Sequence, residues 1–251
     1  MHNLASGRGA EETQVAARAL SAPGKSSSDD GPNLPPDDPN LYIRWAEQAI
    51  GREEFHVAGR HVDRALELSP ENGRAWALRG QLNEFAGREE EAIAAYHRAV
   101  SCGTQNPAAA LRLATLQLDQ ERSTQSALIL RSVIDCPSAT DAQRSQAQWL
   151  LGVAYVKMAR WEQAVATLDE AAKTRNLSTD DWYLIATARY RAGDLAGARR
   201  DVEQQLALHP RHGGFATLLA DLNAMEKNRG PILPATNLVA PNESPAVSTP
   251  P

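Results

Sequence analysis

The segment WLLGVAYVKMARWEQAVATLDEAA, residues 149–172 of this 251-residue chain, recurs in altered form elsewhere in the sequence and thereby indicates the fold. It aligns with WALRGQLNEFAGREEEAIAAYHRAV at residues 76–100 and with WYLIATARYRAGDLAGARRDVEQQL at residues 182–206. Self-similarity at a fixed period is typical of repeat proteins, in which each repeat is one supersecondary unit. The alignment predicts 34-residue units at residues 39–72, 73–106, 107–140, 145–178 and 179–212.

Two places in the unit hold only small residues and fix the register of the alignment. They are Ala46, Gly80, Ala114, Gly152 and Ala186 at place eight, and Ala58, Ala92, Ser126, Ala164 and Ala198 at place twenty. Small side chains let two helices approach closely. Each unit is therefore predicted to be a pair of helices, with Gly87 and Gly193 in the turn between them, where a positive φ is needed.

The repeat resembles the tetratricopeptide repeat. The residues that match this family in the second unit are Trp76, Gly80, Ala92, Tyr96 and Ala99. Those in the fourth unit are Leu151, Gly152, Tyr155, Trp161, Ala164, Leu168 and Ala171. The resemblance implies an all-α, right-handed superhelical solenoid of about five repeats. Apolar residues at helical spacing from Phe215 to Met225 predict a capping helix at 213–229 that covers the last repeat.

The two ends of the chain differ in composition from the repeat domain at residues 39–229. Residues 1–38 contain clusters of Gly, Ser and Asp, and residues 230–251 are rich in Pro, Ser and Thr. Such segments bury too little apolar surface to offset the conformational entropy lost on ordering. Both ends are therefore predicted to be disordered.

The overall composition argues against two classes of partner. The formal net charge is −5, without the basic excess of a nucleic-acid-binding protein, so no nucleic acid partner is expected. No apolar run reaches the roughly 18 residues that a membrane-spanning helix needs. No secretory signal is visible either, so a cytoplasmic location is expected.

No sequence motif indicates catalysis or a cofactor. A Gly-rich phosphate loop, an HExxH pair and a nucleophile elbow are all missing, so the chain is not expected to be an enzyme. His56 and His61 lie on different faces of one predicted helix and are not expected to bind a metal. Cys102 and Cys136 share place thirty of successive units, too far apart for a disulfide, and are predicted to be buried, unlinked thiols.

The family resemblance implies that the first helix of each unit lines a concave groove through places 2, 5, 6, 9, 12 and 13. An extended concave surface suits a peptide or a helix of a partner protein, which is the predicted function. The groove residues predicted to carry binding are Trp149, Val153, Val156, Lys157, Tyr183, Thr187, Tyr190 and Arg191. The alternative is that several of these side chains only pack against a neighbouring unit.

Other functions remain open at this point. Some family members hold the C-terminal carboxylate of a chaperone with Lys and Asn at places five and nine of the first unit. Ile43 and Glu47 occupy those places here, so a chaperone C-terminus is not the expected ligand. The rival hypotheses are a scaffold that associates with itself through the groove, and a regulatory arm of a complex whose enzyme lies on another chain.

Overall fold

A computed structural model describes residues 38–102 and 106–229. These residues form eleven α-helices and no strand, so the all-α fold predicted from the sequence is confirmed. The helices are α1 (Pro39–Gly51), α2 (Phe55–Leu68), α3 (Gly73–Phe85), α4 (Glu89–Ser101), α5 (Pro107–Asp119), α6 (Ser123–Ile134), α7 (Asp141–Lys157), α8 (Trp161–Ala172), α9 (Thr179–Ala192), α10 (Leu195–Leu208) and α11 (Gly213–Arg229). The predictions for residues 1–37 and 230–251 lie outside the described residues.

The helices pack in consecutive pairs, one pair to each 34-residue unit. Helices α1, α3, α5 and α9 begin at the first residue of a unit, whereas α7 begins at Asp141, four residues early. Thr140 causes this early start, because its hydroxyl accepts from the Gln143 N–H while the Gln143 side chain accepts from the Thr140 N–H. This capping box lets the four additional residues extend α7 by about one turn.

The small residues at places eight and twenty form the contact between the two helices of each pair. All ten are buried. A Cβ atom added to Gly80 would lie 2.7 Å from the ring of Tyr96, so the second helix fills the space that a side chain would need. Ser126, the one polar residue of the set, donates its hydroxyl to the Ala114 carbonyl at 2.8 Å. Its polar group is therefore satisfied inside the helix contact.

The turn between paired helices has the same backbone geometry in every repeat. Place fifteen takes a positive φ in all five units: Glu53 64°, Gly87 69°, Glu121 60°, Ala159 55° and Gly193 87°. In each turn the next residue donates its N–H to the carbonyl five residues back, as Arg160 does to Tyr155 at 2.8 Å. This is the Schellman arrangement that ends a helix. The prediction for Gly87 and Gly193 is confirmed, and three residues other than glycine adopt the same conformation.

The described residues divide into two compact units, with the boundary between residues 178 and 179. The described part of the first unit contains the helix pairs α1 to α8. The second contains α9 and α10, and α11 packs against both. Its core consists of Ala186, Ala198, Val202, Phe215, Leu218 and Leu222. Helix α11 thus supplies apolar residues that cover the last helix pair, as a capping helix would.

No helix in the part of the chain that the structure describes is long and apolar enough to cross a membrane. Cys102 and Cys136 are not joined by a disulfide, in agreement with the sequence prediction. Both are half-buried, so the expectation that they would be fully buried is wrong. Cys136 follows the end of α6, where its Sγ atom lies 3.2 Å from the Ser138 hydroxyl. Its position in a turn rather than within a helix leaves it partly open to solvent.

Candidate functional site

A cleft of ≈ 690 Å³ opens along the first helices of the first three repeats. Helix α3 contributes half of its lining, with Arg74, Ala77, Leu78, Gln81, Glu84 and Phe85. These six residues occupy places 2, 5, 6, 9, 12 and 13 of the second unit, the places that the family resemblance implies for a groove. The remaining lining residues are Glu47 of α1, Tyr96 of α4, and Asn106, Ala108, Ala109 and Arg112 at the start of α5.

Charges in the cleft are paired between successive repeats. Arg74 of α3 donates two hydrogen bonds to Glu47 of α1, from Nε at 2.8 Å and from a terminal nitrogen at 2.9 Å. Arg112 of α5 makes the equivalent two-pronged contact with Glu84 of α3. Bidentate contacts of this type fix the geometry of both side chains. Each arginine in the cleft therefore already has a carboxylate partner.

Tyr96 connects the helix contact of the second repeat to this network. Its hydroxyl donates to Glu84 Oε2 at 2.5 Å, and its ring covers Gly80. Burial, together with the neighbouring Glu84 carboxylate, raises the pKa of Tyr96 above its usual value. The contact with Glu84 also raises the pKa of Arg112. The Glu84 carboxylate is held from two sides and forms a rigid part of the cleft wall.

The apolar part of the cleft is exposed to solvent. Phe85, at the end of α3, is 40% exposed although its ring packs 4.8 Å from the ring of Phe55. Ala77, Ala108 and Ala109 also line the cleft and leave it open because their side chains are small. An exposed aromatic ring in a concave surface is a suitable anchor for an apolar side chain of a ligand.

Four of the residues predicted from the sequence lie on α7. Trp149 is only 8% exposed, and the Arg175 guanidinium lies over its ring, 4.9 Å from the ring centre. Val153 and Val156 are half-buried. Lys157 is exposed, and its Nζ atom donates to the Leu118 carbonyl at 2.9 Å, near the C-terminal end of α5. Trp149 thus presents little surface, and Lys157 has a structural contact in addition to its charge.

The other four predicted residues lie on α9, in the second compact unit. Tyr183 is 37% exposed, and its ring meets the edge of Phe215 at 5.5 Å and lies 5.8 Å from His212. Thr187 and Tyr190 are half-buried, and Tyr190 packs against the core of this unit. Arg191 is exposed. Tyr183 and Arg191 are therefore the members of this group that a ligand can reach most easily.

Residue-level prediction from the sequence missed the cleft of the first three repeats. The repeat pattern could have located this cleft, because the groove places of the second unit correspond to all six cleft residues of α3. The aromatic residues at the groove places of the fourth and fifth units instead favoured a binding site in those units. Among the described residues, no group of three His, Cys, Asp or Glu side chains is arranged to hold a metal ion.

Comparison with known proteins agrees with the repeat geometry. A tetratricopeptide repeat profile matches residues 43–110 and 150–210, just over half of the chain. The chain belongs to the tetratricopeptide repeat family. Cilia- and flagella-associated protein 70 of Homo sapiens is 23% identical over 194 residues, which are 75% of this chain. The matched region is only 16% of that protein, so the two proteins differ greatly in extent.

Solved structures of other tetratricopeptide repeat proteins share the fold. YrrB, described as a TPR protein with an unusual peptide-binding site, superposes with a TM-score of 0.62 at 17% identity, covering 75% of this chain and 92% of YrrB. MamA from Desulfovibrio magneticus RS-1 gives 0.56 at 15% identity, covering 70% of this chain and 97% of MamA. At these identities the likeness concerns the fold. Members of this repeat family are in general protein–protein interaction modules.

Proposed function

We propose that this chain is a non-enzymatic interaction module that binds a peptide or a helix of a partner protein along the first helices of its repeats. One observation carries the proposal: the six groove places of the second repeat all line a single cleft of ≈ 690 Å³. That volume falls within the range of pockets that enclose several side chains of a ligand. YrrB, which shares the fold, is described as having a peptide-binding site, and a peptide is also the ligand proposed for this chain.

The cleft has the chemistry of a peptide site. Phe85 offers an exposed aromatic ring, and the small alanine side chains elsewhere in the lining leave the cleft open. Gln81, in the middle of the lining, has both a donor and an acceptor and can pair with a peptide backbone. The paired charges of Arg74 and Arg112 give the walls a fixed shape.

The residues on α7 and α9 are part of the same proposal. Val153, Val156 and Lys157 would extend the binding surface over the fourth repeat, with Trp149 as a covered support. In the second compact unit, Tyr183 and Arg191 would be the contact residues, and Thr187 and Tyr190 would shape the surface beside them.

Site-specific photocrosslinking tests this function directly. A photoreactive phenylalanine analogue in place of Gln81 should crosslink the partner in cells, and mass spectrometry would identify it. The matched control carries the same analogue in place of Leu128, which is 64% exposed on α6 and does not line the cleft. Equal crosslinking from both positions, or none from Gln81, would overturn the proposal. A crosslinked homodimer specific to position 81 would instead favour the self-associating scaffold.

A further inference from the structure

A second cleft, of ≈ 460 Å³, lies in the fourth repeat beside the first two turns of α7. Its lining residues are Asp141, Ala142, Ser145 and Gln146 of α7, with Thr174 and Arg175 from the segment that follows α8. Ser145, Gln146 and Trp149 share one face of α7, because residues three and four apart are neighbours on a helix. Trp149 itself does not line the cleft, but Arg175 connects the two, because it lines the cleft and lies over the Trp149 ring.

The Arg175 side chain is held in place but is not satisfied. Its guanidinium carbon lies over the Trp149 ring, 4.9 Å from the ring centre, so the side chain gains cation–π attraction, and the N–H groups that a ligand can reach are those of the terminal nitrogens. Its Nε atom is buried without an acceptor, and no side chain or carbonyl among residues 38–102 and 106–229 accepts a hydrogen bond from it. A buried donor without an acceptor costs folding free energy, but the Nε atoms of Arg79 and Arg88 are in the same state, so what distinguishes Arg175 is that it also lines a cleft.

The other charges around the cleft compensate each other. Asp141 is fully exposed and pairs with Arg144 at 2.8 Å. The Ser145 and Thr174 hydroxyls bond to one another at 2.7 Å. Arg175 is thus the one uncompensated cation in the lining of this cleft, at a place where the N-terminal turns of α7 add a positive potential.

We propose that Arg175, stacked on Trp149, binds the carboxylate of an Asp or Glu side chain in the partner peptide. This inference rests on the proposed function, since it names the chemistry of one part of the ligand. The guanidinium fork matches a planar carboxylate through two parallel hydrogen bonds. The Gln146 amide, at a groove place of the same cleft, lies where the ligand backbone would pass.

A carboxylate fits this cleft better than a phosphate group. The lining contains a single unpaired positive charge, which one carboxylate neutralises. A phosphate dianion would leave an excess negative charge beside the Asp141 carboxylate, and like charges at short range are unfavourable. The partner is therefore expected to carry an unmodified acidic residue near its apolar anchor.

Nuclear magnetic resonance of the arginine Nε–Hε groups in the full chain tests the assignment. The Arg175 signal is identified by its loss in Arg175→Lys, a variant that keeps the charge and removes the fork. The probes are the acetylated and amidated dipeptides Leu-Glu and Leu-Gln, with inorganic phosphate as a third arm. We expect the Leu-Glu probe to shift the Arg175 signal saturably and to bind about tenfold more tightly than Leu-Gln.

Two variants distinguish binding by the planar Arg175 guanidinium from general electrostatic attraction to the protein. Arg175→Lys should weaken the Leu-Glu probe about tenfold, followed through the backbone amide signals of α7. Arg44→Gln, which removes an exposed positive charge on α1, should leave probe binding unchanged. The wild-type titration does not depend on the folding of any variant.

Three results would overturn the inference: an Arg175 signal that does not move, an equal response to Leu-Gln, or tighter binding of phosphate than of Leu-Glu. Crosslinking from Gln81 does not involve Arg175. If that crosslink persists while the Arg175 signal is unmoved, the proposed function stands and only the carboxylate site is wrong.

Discussion

Gly152 of α7 lies so close to Leu168 of α8 that a Cβ atom at residue 152 would stand 2.5 Å from Leu168 Cδ2. Leu168 is fully buried and has little freedom to move away. The same two places are filled by Gly80 and Tyr96 in the second repeat, where the added atom would lie 2.7 Å from the ring. In these two repeats, the absence of a side chain at place eight sets how closely the two helices approach.

Gly152→Ala should therefore destabilise the protein, although alanine is the better helix former. Overpacking costs about 1 to 3 kcal/mol, and the approach of the added Cβ to the fully buried Leu168 favours the upper half of that range. The gain in helix propensity is about 1 kcal/mol, so the net loss should be about 1 to 2 kcal/mol. Chemical denaturation measures it. Gly51→Ala is the matched control, because a Cβ there meets no atom within 4 Å. An unchanged free energy of unfolding in Gly152→Ala would contradict the close contact.

A substitution in the turn between paired helices is predicted to stabilise the protein, in contrast to Gly152→Ala. Ala159 has φ 55°, a conformation that is costly for a residue with a Cβ atom, whereas glycine adopts it freely. Ala159→Gly should raise the free energy of unfolding by about 0.5 to 1 kcal/mol. Gly193→Ala, at φ 87°, should lower it by about 1 kcal/mol. Thermal melts of both variants check the pair, and shifts in the same direction would refute the shared geometry.

The sequence predicted the features that recur in every repeat and are constrained by packing. It did not predict features that depend on a contact between two individual side chains. Places eight and twenty were recognisable because the helix contact admits only small residues at each. The turn at place fifteen was recognised only where Gly87 and Gly193 stand, since Glu53 adopts a positive φ without the usual residue type. Trp149 is buried although it occupies a groove place, and Arg175, which follows the second helix of its repeat, lies over its ring.

The cleft was missed for a related physical reason. Four of its lining residues form ion pairs between repeats, such as Glu47 with Arg74, and each partner alone resembles an ordinary surface residue. Three further lining residues are alanines, which indicate helix formation rather than binding. Of the two aromatic residues in the lining, Tyr96 is buried and only Phe85 is exposed.

Stability at high pH should depend on Tyr96. Burial and the Glu84 carboxylate raise the pKa of Tyr96 above its ordinary value of 10.0, so the folded protein holds this proton more tightly than the unfolded chain. The resulting stabilisation is complete below about pH 10 and is lost as the pH rises toward the folded-state pKa. Denaturation at pH 9 and pH 11 should show a smaller loss for Tyr96→Phe than for wild type. An equal loss in both would be evidence against this role.

Trp149 should behave as a core residue in mutagenesis. It is 8% exposed beneath Arg175, so Trp149→Ala removes a large buried ring and should cost about 3 to 5 kcal/mol. Trp149 is predicted from the sequence to be a groove residue that carries binding, and a residue in that role could be truncated without loss of stability. A melting temperature unchanged by Trp149→Ala would favour that interpretation over a core role. Loss of binding in this variant would need to be separated from unfolding by circular dichroism.

Phe85 provides the sharpest test of the cleft as a binding site. An exposed aromatic anchor in a concave surface commonly contributes about 2 kcal/mol or more to binding, whereas isolated exposed apolar residues contribute little. Phe85→Ala should therefore weaken the partner identified by crosslinking from Gln81 by at least about 30-fold. Leu128→Ala is the matched control, since Leu128 is more exposed but lies outside the cleft.

Phe85 also packs against Phe55, so melting curves must show that the variant remains folded at the assay temperature. A folded Phe85→Ala variant that binds the partner as tightly as wild type would show that the ligand lies elsewhere, and α7 and α9 would become the surfaces to examine.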